Sequence, residues 1–188
     1  MEILSDNIDE IVDLLQRGKT ILYPTDTIWG IGCDATNKEA IEKIYDIKKR
    51  DKSKPLIVLV SDIDMLKRYV PRLHPRIETL LVYHKRPLTL LHKNPTGLPS
   101  ILLKKKKAAI RIVKEPFIAA VIRRFGKPVT STSANIAGED FPKTFSDISP
   151  AIIDAVDYVF KYRQDDTSQY EPSVIATYNS RGILKFLR

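Results

Sequence analysis

The sequence predicts a single mixed α/β domain, and three observations carry that reading. Apolar runs of strand length, such as residues 56–60, alternate with segments whose apolar residues recur at helical spacing. Two of the strand-like runs end in small polar turns, Pro24-Thr25-Asp26-Thr27 and Ser131-Thr132-Ser133-Ala134-Asn135. A dense cationic cluster of Lys48, Lys49, Arg50, Lys52 and Lys54 stops abruptly at Pro55, ahead of a purely apolar strand. Polar loops at strand ends beside a group of cations are what an α/β protein needs to hold an anionic ligand.

Taken in order, Ile8, Ile11, Val12, Leu14 and Leu15 give an amphipathic first helix that ends near Gly18. Residues 20–23 and 28–33 are strands on either side of the PTDT turn. Thr36 and Glu39 have the spacing of a capping box ahead of Ile41, Ile44 and Tyr45, so a helix follows with the basic cluster at its far end. Residues 56–60 form a buried strand. Ser61 with Asp64 then starts a helix carrying Met65, Leu66 and Tyr69. A helix over 75–83 and a strand over 88–91 come next. Residues 108–113 read as a strand with Arg111 at an alternate position. Glu115-Pro116 opens a helix with Phe117, Ile118, Val121, Ile122 and Phe125 inward and Gly126 closing it. A short strand over 128–131 leads into the SAN loop. Runs at 173–178 and 183–187 flank Asn179-Ser180-Arg181-Gly182 as a hairpin.

Composition narrows the class. At 188 residues with 43% hydrophobic and 29% charged, the chain has the makings of one well-buried core. No apolar run approaches the roughly 20 residues of a membrane span, and no secretory leader is visible at the start. Cys33 is the only cysteine, which excludes an internal disulfide and suits a reducing cytoplasm. His74, His84 and His92 lack metal-ligand spacing, so no protein-built metal site is expected. The net charge of +8 favours an anionic partner, either RNA or a nucleotide.

The candidate residues each admit two readings. Lys48, Lys49 and Arg50 cannot all face one way on a helix; the cluster is either a solvated helix end or, through Arg50 and Lys54 on either side of the loop, a phosphate-binding pair. PTDT is a turn or a source of hydroxyls for a small polar substrate. Ser133 and Asn135 are turn formers or nucleotide contacts, with no G-x-S-x-G elbow to make a nucleophile. Arg111, in AAIRIV, requires either an internal carboxylate or an anionic ligand. Trp29 reads as core or cleft wall, and residues 104–107, four consecutive lysines, as a flexible exposed loop. Neither a Walker A pattern nor G-x-G-x-x-G occurs.

Together, YPTDTIWGIG, the KKR and KPL pieces spanning 48–56, and STSAN resemble the YrdC-like family of threonylcarbamoyl-AMP synthases, in register with Pro87-Leu88-Thr89, Arg111 and Pro172-Ser173-Val174. The resemblance implies one YrdC-like domain over 1–188, a twisted mixed sheet with flanking helices and a basic concave cavity, without a C-terminal extension. It implies synthesis of threonylcarbamoyl-AMP and pyrophosphate from L-threonine, bicarbonate and ATP, with Mg²⁺ carried by the ATP. Transferase proteins then place the threonylcarbamoyl group on adenosine beside the anticodon of tRNA; neither DNA nor a membrane is an expected partner.

Carried over by motif, Thr27, Arg111 and Ser173 contact threonine, with Ser131 and the Leu59 backbone nearby. Arg50, Lys54, Ser133 and Asn135 contact ATP, with Lys107, Phe141 and Arg188 at the edges, and Arg50 and Lys54 serve as the catalytic cations. The chain departs from the family pattern at Lys85-Arg86, Val113 and Val174. The alternative is an RNA-binding module of the same fold without adenylate-forming activity; a carbamoyl-phosphate-handling hydrolase domain is a third reading.

Overall fold

The computed structural model describes residues 6–187. In chain order its elements are α1 (Ile8–Gln16), β1 (Ile21–Tyr23), β2 (Gly30–Gly32), α2 (Lys38–Ile47), β3 (Ile57–Val60), α3 (Ile63–Tyr69), α4 (Pro75–Tyr83), β4 (Leu88–Lys93), β5 (Lys107–Ile112), α5 (Pro116–Phe125), β6 (Val129–Ser133), α6 (Pro150–Ala155), β7 (Tyr158–Val159), β8 (Val174–Tyr178) and β9 (Leu184–Phe186). Nine strands join in one mixed sheet, ordered β7-β1-β2-β6-β3-β5-β4-β8-β9.

The centre of the sheet follows from its residues. Val58 and Leu59 of β3 pair with β5 on one side and β6 on the other, and both are fully buried. A strand enclosed on all sides has to be apolar throughout, as 56–60 is. β1 and β2 flank the PTDT turn as an antiparallel pair. Here Tyr23 donates its hydroxyl to the Thr130 carbonyl at 2.8 Å. A side chain at Gly32 would run into that same carbonyl and the Tyr23 ring, so glycine is what lets β2 lie this close to β6. Helices α1 and α5 pack on each other, with Ile11, Val12 and Leu15 facing Ile118, Val121 and Ile122 in one core.

Several local expectations are corrected. The cap of α2 is Asn37, whose side chain accepts from the Ala40 N–H at 3.1 Å; Thr36 instead donates to Asp34 at 2.6 Å. Asp62, not Ser61, caps α3, accepting from Met65 N–H at 2.8 Å. Residues 104–107 are a tight hairpin rather than a flexible loop. Lys104 and Lys107 exchange both backbone hydrogen bonds, at 2.9 and 3.0 Å, and Lys105 and Lys106 take φ of 50° and 58°. α6 and the two-residue β7 were not anticipated. β7 is held beside β1 by Asp157, whose carboxylate accepts from the Thr20 N–H (2.8 Å), the Thr20 hydroxyl (3.0 Å) and the Lys19 ammonium (3.0 Å).

Candidate functional site

One face of the sheet carries a cavity of about 550 Å³. Its floor comes from strand alternation. On β5 the residues 107, 109 and 111 share a face, so Lys107 and Arg111 stand about 13 Å apart with small Ala109 between them. Leu91, Ile57 and Ile175 complete an apolar floor.

At the Arg111 end the chain concentrates hydroxyls. Arg111, only 3% exposed, donates to Asp26 Oδ1 at 2.7 Å and to the Thr27 hydroxyl at 3.3 Å. The guanidinium thus has the internal carboxylate that was one reading of the sequence, and it also lines the cavity. Thr27 Oγ1 shares a 2.7 Å hydrogen bond with Thr25, whose hydroxyl also donates to the Ile28 carbonyl at 2.9 Å. The PTDT segment is thereby a rigid hydroxyl-bearing turn. Ser173 lies across from Thr89, hydroxyl to hydroxyl at 2.8 Å, and Ser131 enters from β6.

The other end is cationic. The three adjacent residues 48–50 diverge where α2 ends, Lys48 being its C-cap and Lys49 the turn that follows. Lys48 is 1% exposed, and its ammonium donates to the carbonyls of Ser133 and Asn135 and, at 3.4 Å, to Asn135 Oδ1. Burial pushes its amine down to about 8, with Arg50 adding to the effect. Lys49 takes a left-handed turn at φ 49°, and Arg50 is thereby delivered to the cavity wall. Arg50 is braced from behind, Nε donating to the Lys54 carbonyl at 3.0 Å, a carbonyl that also accepts from the Tyr45 hydroxyl at 3.2 Å. The lysine hairpin faces this loop: Asp51 is held below its ordinary range by Ser53, with Lys54 and Lys104 contributing. Lys104, Lys105 and Lys107 all line the cavity, as do Ser133, Phe141 and Trp29.

Of the residues expected from sequence, Thr27, Arg50, Lys107, Arg111, Ser131, Ser133, Phe141 and Ser173 come together on this one wall. Lys54 is exposed outside it and meets Arg50 through its backbone; Leu59 is fully buried beneath, pairing with Arg111. Asn135 spends its amide on the Ile136 and Glu139 carbonyls, at 3.0 and 2.7 Å, and so shapes the SAN loop. Arg188 lies outside the described residues. Sequence reasoning treated Lys48 as one more surface charge, although 41, 44, 45 and 48 form the inner stripe of α2 and could have marked it. Asp26 was seen only as a turn former. Among the described residues the wall bears hydroxyls and cations and no carboxylate, a lining that offers no side-chain ligand set for magnesium.

Comparison with known proteins gives a consistent set of relatives. The Sua5_yciO_yrdC family model, described as "Telomere recombination", matches residues 13–188. The threonylcarbamoyl-AMP synthase of Aliivibrio fischeri is 31% identical over 159 residues, covering 82% of this chain and 86% of that protein. That of Vibrio parahaemolyticus is 29% identical over 184 residues, 96% and 98% of the two chains. Among solved structures, Escherichia coli YciO superposes with a TM-score of 0.82 at 22% identity, over 98% of this chain and 91% of YciO. Pyrococcus abyssi Sua5 complexed with L-threonine gives 0.82 at 20% identity; this chain, matched over 96% of its length, spans about half of that one, 53%.

Proposed function

The chain belongs to the Sua5/YciO/YrdC family, and from that premise we propose that it makes threonylcarbamoyl-AMP from L-threonine, bicarbonate and ATP, releasing pyrophosphate. The observation that carries the reading is a single cavity with two chemically distinct ends: a buried guanidinium among hydroxyls, and a ring of cations about a strand's length away.

The chemistry suits such a wall. Threonine's amine and bicarbonate give a carbamate, losing water; a carbamate oxygen then attacks the α-phosphorus of ATP and the bond to pyrophosphate breaks. The nucleophile is substrate-borne, so the protein need supply only proximity and charge neutralisation. Arg111, with Thr27 and Ser173, would take the threonine carboxylate and hydroxyl, the guanidinium offering a planar fork of donors. Ser131 stands beside them. Arg50, Ser133 and Lys107 would meet the triphosphate, with Phe141 at the edge. Asn135 and Lys54 would act from outside the wall, Asn135 by shaping the SAN loop and Lys54 by bracing Arg50. Magnesium would arrive bound to the triphosphate as part of the substrate. The product would pass to transferase proteins that modify tRNA, a cytoplasmic task; among the described residues no helix is long and apolar enough to cross a membrane.

The test is isotopic. With ATP, magnesium, L-threonine and labelled bicarbonate, an adenylate carrying the label is expected by chromatography, and none when threonine is omitted. A labelled product that ignores threonine would overturn the reading. The lysine hairpin favours a second function, RNA backbone binding, which a steep salt dependence without ATP turnover would reveal.

A further inference from the structure

Residues 161–172, between β7 and β8, carry neither helix nor strand, yet they are fastened at every few residues. The Asp6 carboxylate accepts from the N–H groups of Lys161 and Tyr162, at 3.0 and 2.7 Å. Arg163 then adopts φ of 61°, a left-handed state that residues with a Cβ avoid and that persists only where the surroundings enforce it. Its guanidinium is held on two sides. Nε and Nη2 donate to Asp166 Oδ2 at 3.0 and 2.7 Å, and the Tyr170 ring centroid lies 4.9 Å away. The Tyr170 hydroxyl donates to that same oxygen at 3.3 Å. Arg163 Nη1, left pointing out of this clamp, donates to the Thr25 carbonyl at 3.1 Å.

Thr25 is the hub of the PTDT turn. Its hydroxyl accepts the Thr27 N–H at 3.0 Å and shares the hydrogen bond that orients the Thr27 hydroxyl, which faces Arg111. Between the strap and the turn, beside Trp29, only about 10 Å³ of space remains. Nothing in the adenylate chemistry calls for this arginine, which lies behind the turn and does not line the main cavity.

We propose that Arg163, clamped by Asp166 and Tyr170, is a positioning residue that fixes the hydroxyl turn of the amino-acid subsite from behind and so sets affinity for a small hydroxy amino acid. This rests on the function proposed above, but its mechanical part can be read without substrate, because Trp29 is the chain's only tryptophan and is 5% exposed beside the strap.

The experiment compares wild type with Arg163→Gly, which keeps the left-handed turn while removing the clasp, and with Asp166→Asn, which loosens it. Acrylamide quenching of Trp29 is expected to rise about twofold in both variants. KM for threonine is expected to rise about tenfold with KM for ATP within twofold, and the double variant should be no worse than Arg163→Gly. Unchanged quenching and threonine KM in Arg163→Gly would overturn the inference, showing that only the backbone turn matters. A parallel rise in both KM values alongside a lower Tm would also overturn it, since that marks general loss of structure. Should wild type show no threonine-dependent turnover, the functional reading fails while the quenching result still decides the clasp.

Discussion

Replacing Lys48 by methionine separates the cationic end of the cavity from its amino-acid end. Methionine keeps the stem length but cannot donate, so the Ser133 and Asn135 carbonyls and Asn135 Oδ1 lose their shared ammonium. Two effects oppose each other. Removing a charge that burial holds at about 8 relieves about 3 kcal/mol, at ~1.4 kcal/mol per pH unit from the ordinary 10.5. Losing three hydrogen bonds from a charged donor takes away ~1.5–3 kcal/mol each. The loss exceeds the relief, leaving a destabilisation of about 3 kcal/mol, or about 6–12 °C in Tm for a domain of this size. Because the SAN loop carries Ser133 to the wall, KM for ATP should rise more than tenfold while KM for threonine stays within about threefold. Urea unfolding and initial-rate kinetics on the same preparation measure both. Unchanged stability, or equal changes in the two KM values, would refute the role given to Lys48.

Other perturbations have equally definite outcomes. Arg111→Leu leaves the partly buried Asp26 without its cation; a loss of about 3 kcal/mol in denaturant unfolding, the lower end for a broken buried pair, is expected. Threonine binding by the folded fraction, measured by calorimetry, should weaken far more than ATP binding. Lys54→Ala keeps the carbonyl that braces Arg50 and removes an exposed side chain, so Tm should move by under ~2 °C; a fall in adenylate formation would then assign the ammonium itself a role. His92 is fully buried, its Nδ1 shared with the Tyr178 hydroxyl at 2.9 Å, and burial pushes it down to about 4. The unfolded chain takes up this proton near 6.5 while the folded one does not until about 4. Stability is therefore fully present above pH 6.5 and lost as pH falls toward 4, by about 3 kcal/mol. In His92→Leu that slope should disappear from stability measured against pH.

The parts of the fold written as periodic patterns were legible before any coordinates. The helix over 75–83, the buried run at 56–60 and the hairpin about Asn179–Gly182 required only spacing and turn chemistry, and each is present. β7 was invisible because two residues have no period, and its place beside β1 depends on Asp157 reaching Thr20 across 137 positions. Eight of the site residues that the family resemblance implied lie on one wall, and strand alternation accounts for four of them, Lys107 and Arg111 on β5 with Ser131 and Ser133 on β6. Helical spacing could mark Lys48 as inward but not name its partners, and nothing local shows that Asp26 closes on Arg111. Both depend on long-range packing, with Asn135 and Arg111 lying 87 and 85 residues from their partners. The left-handed Lys105, Lys106 and Arg163 were hidden for another reason: no glycine or asparagine marks those turns.

Pyrophosphate release from Mg-ATP, assayed with and without L-threonine and bicarbonate, tests the central claim most directly. Release that needs both co-substrates, and that falls in Arg111→Leu when threonine is limiting, is the expected result. No release from the complete mixture by demonstrably folded protein would contradict the synthase assignment and leave the cavity to another anionic ligand.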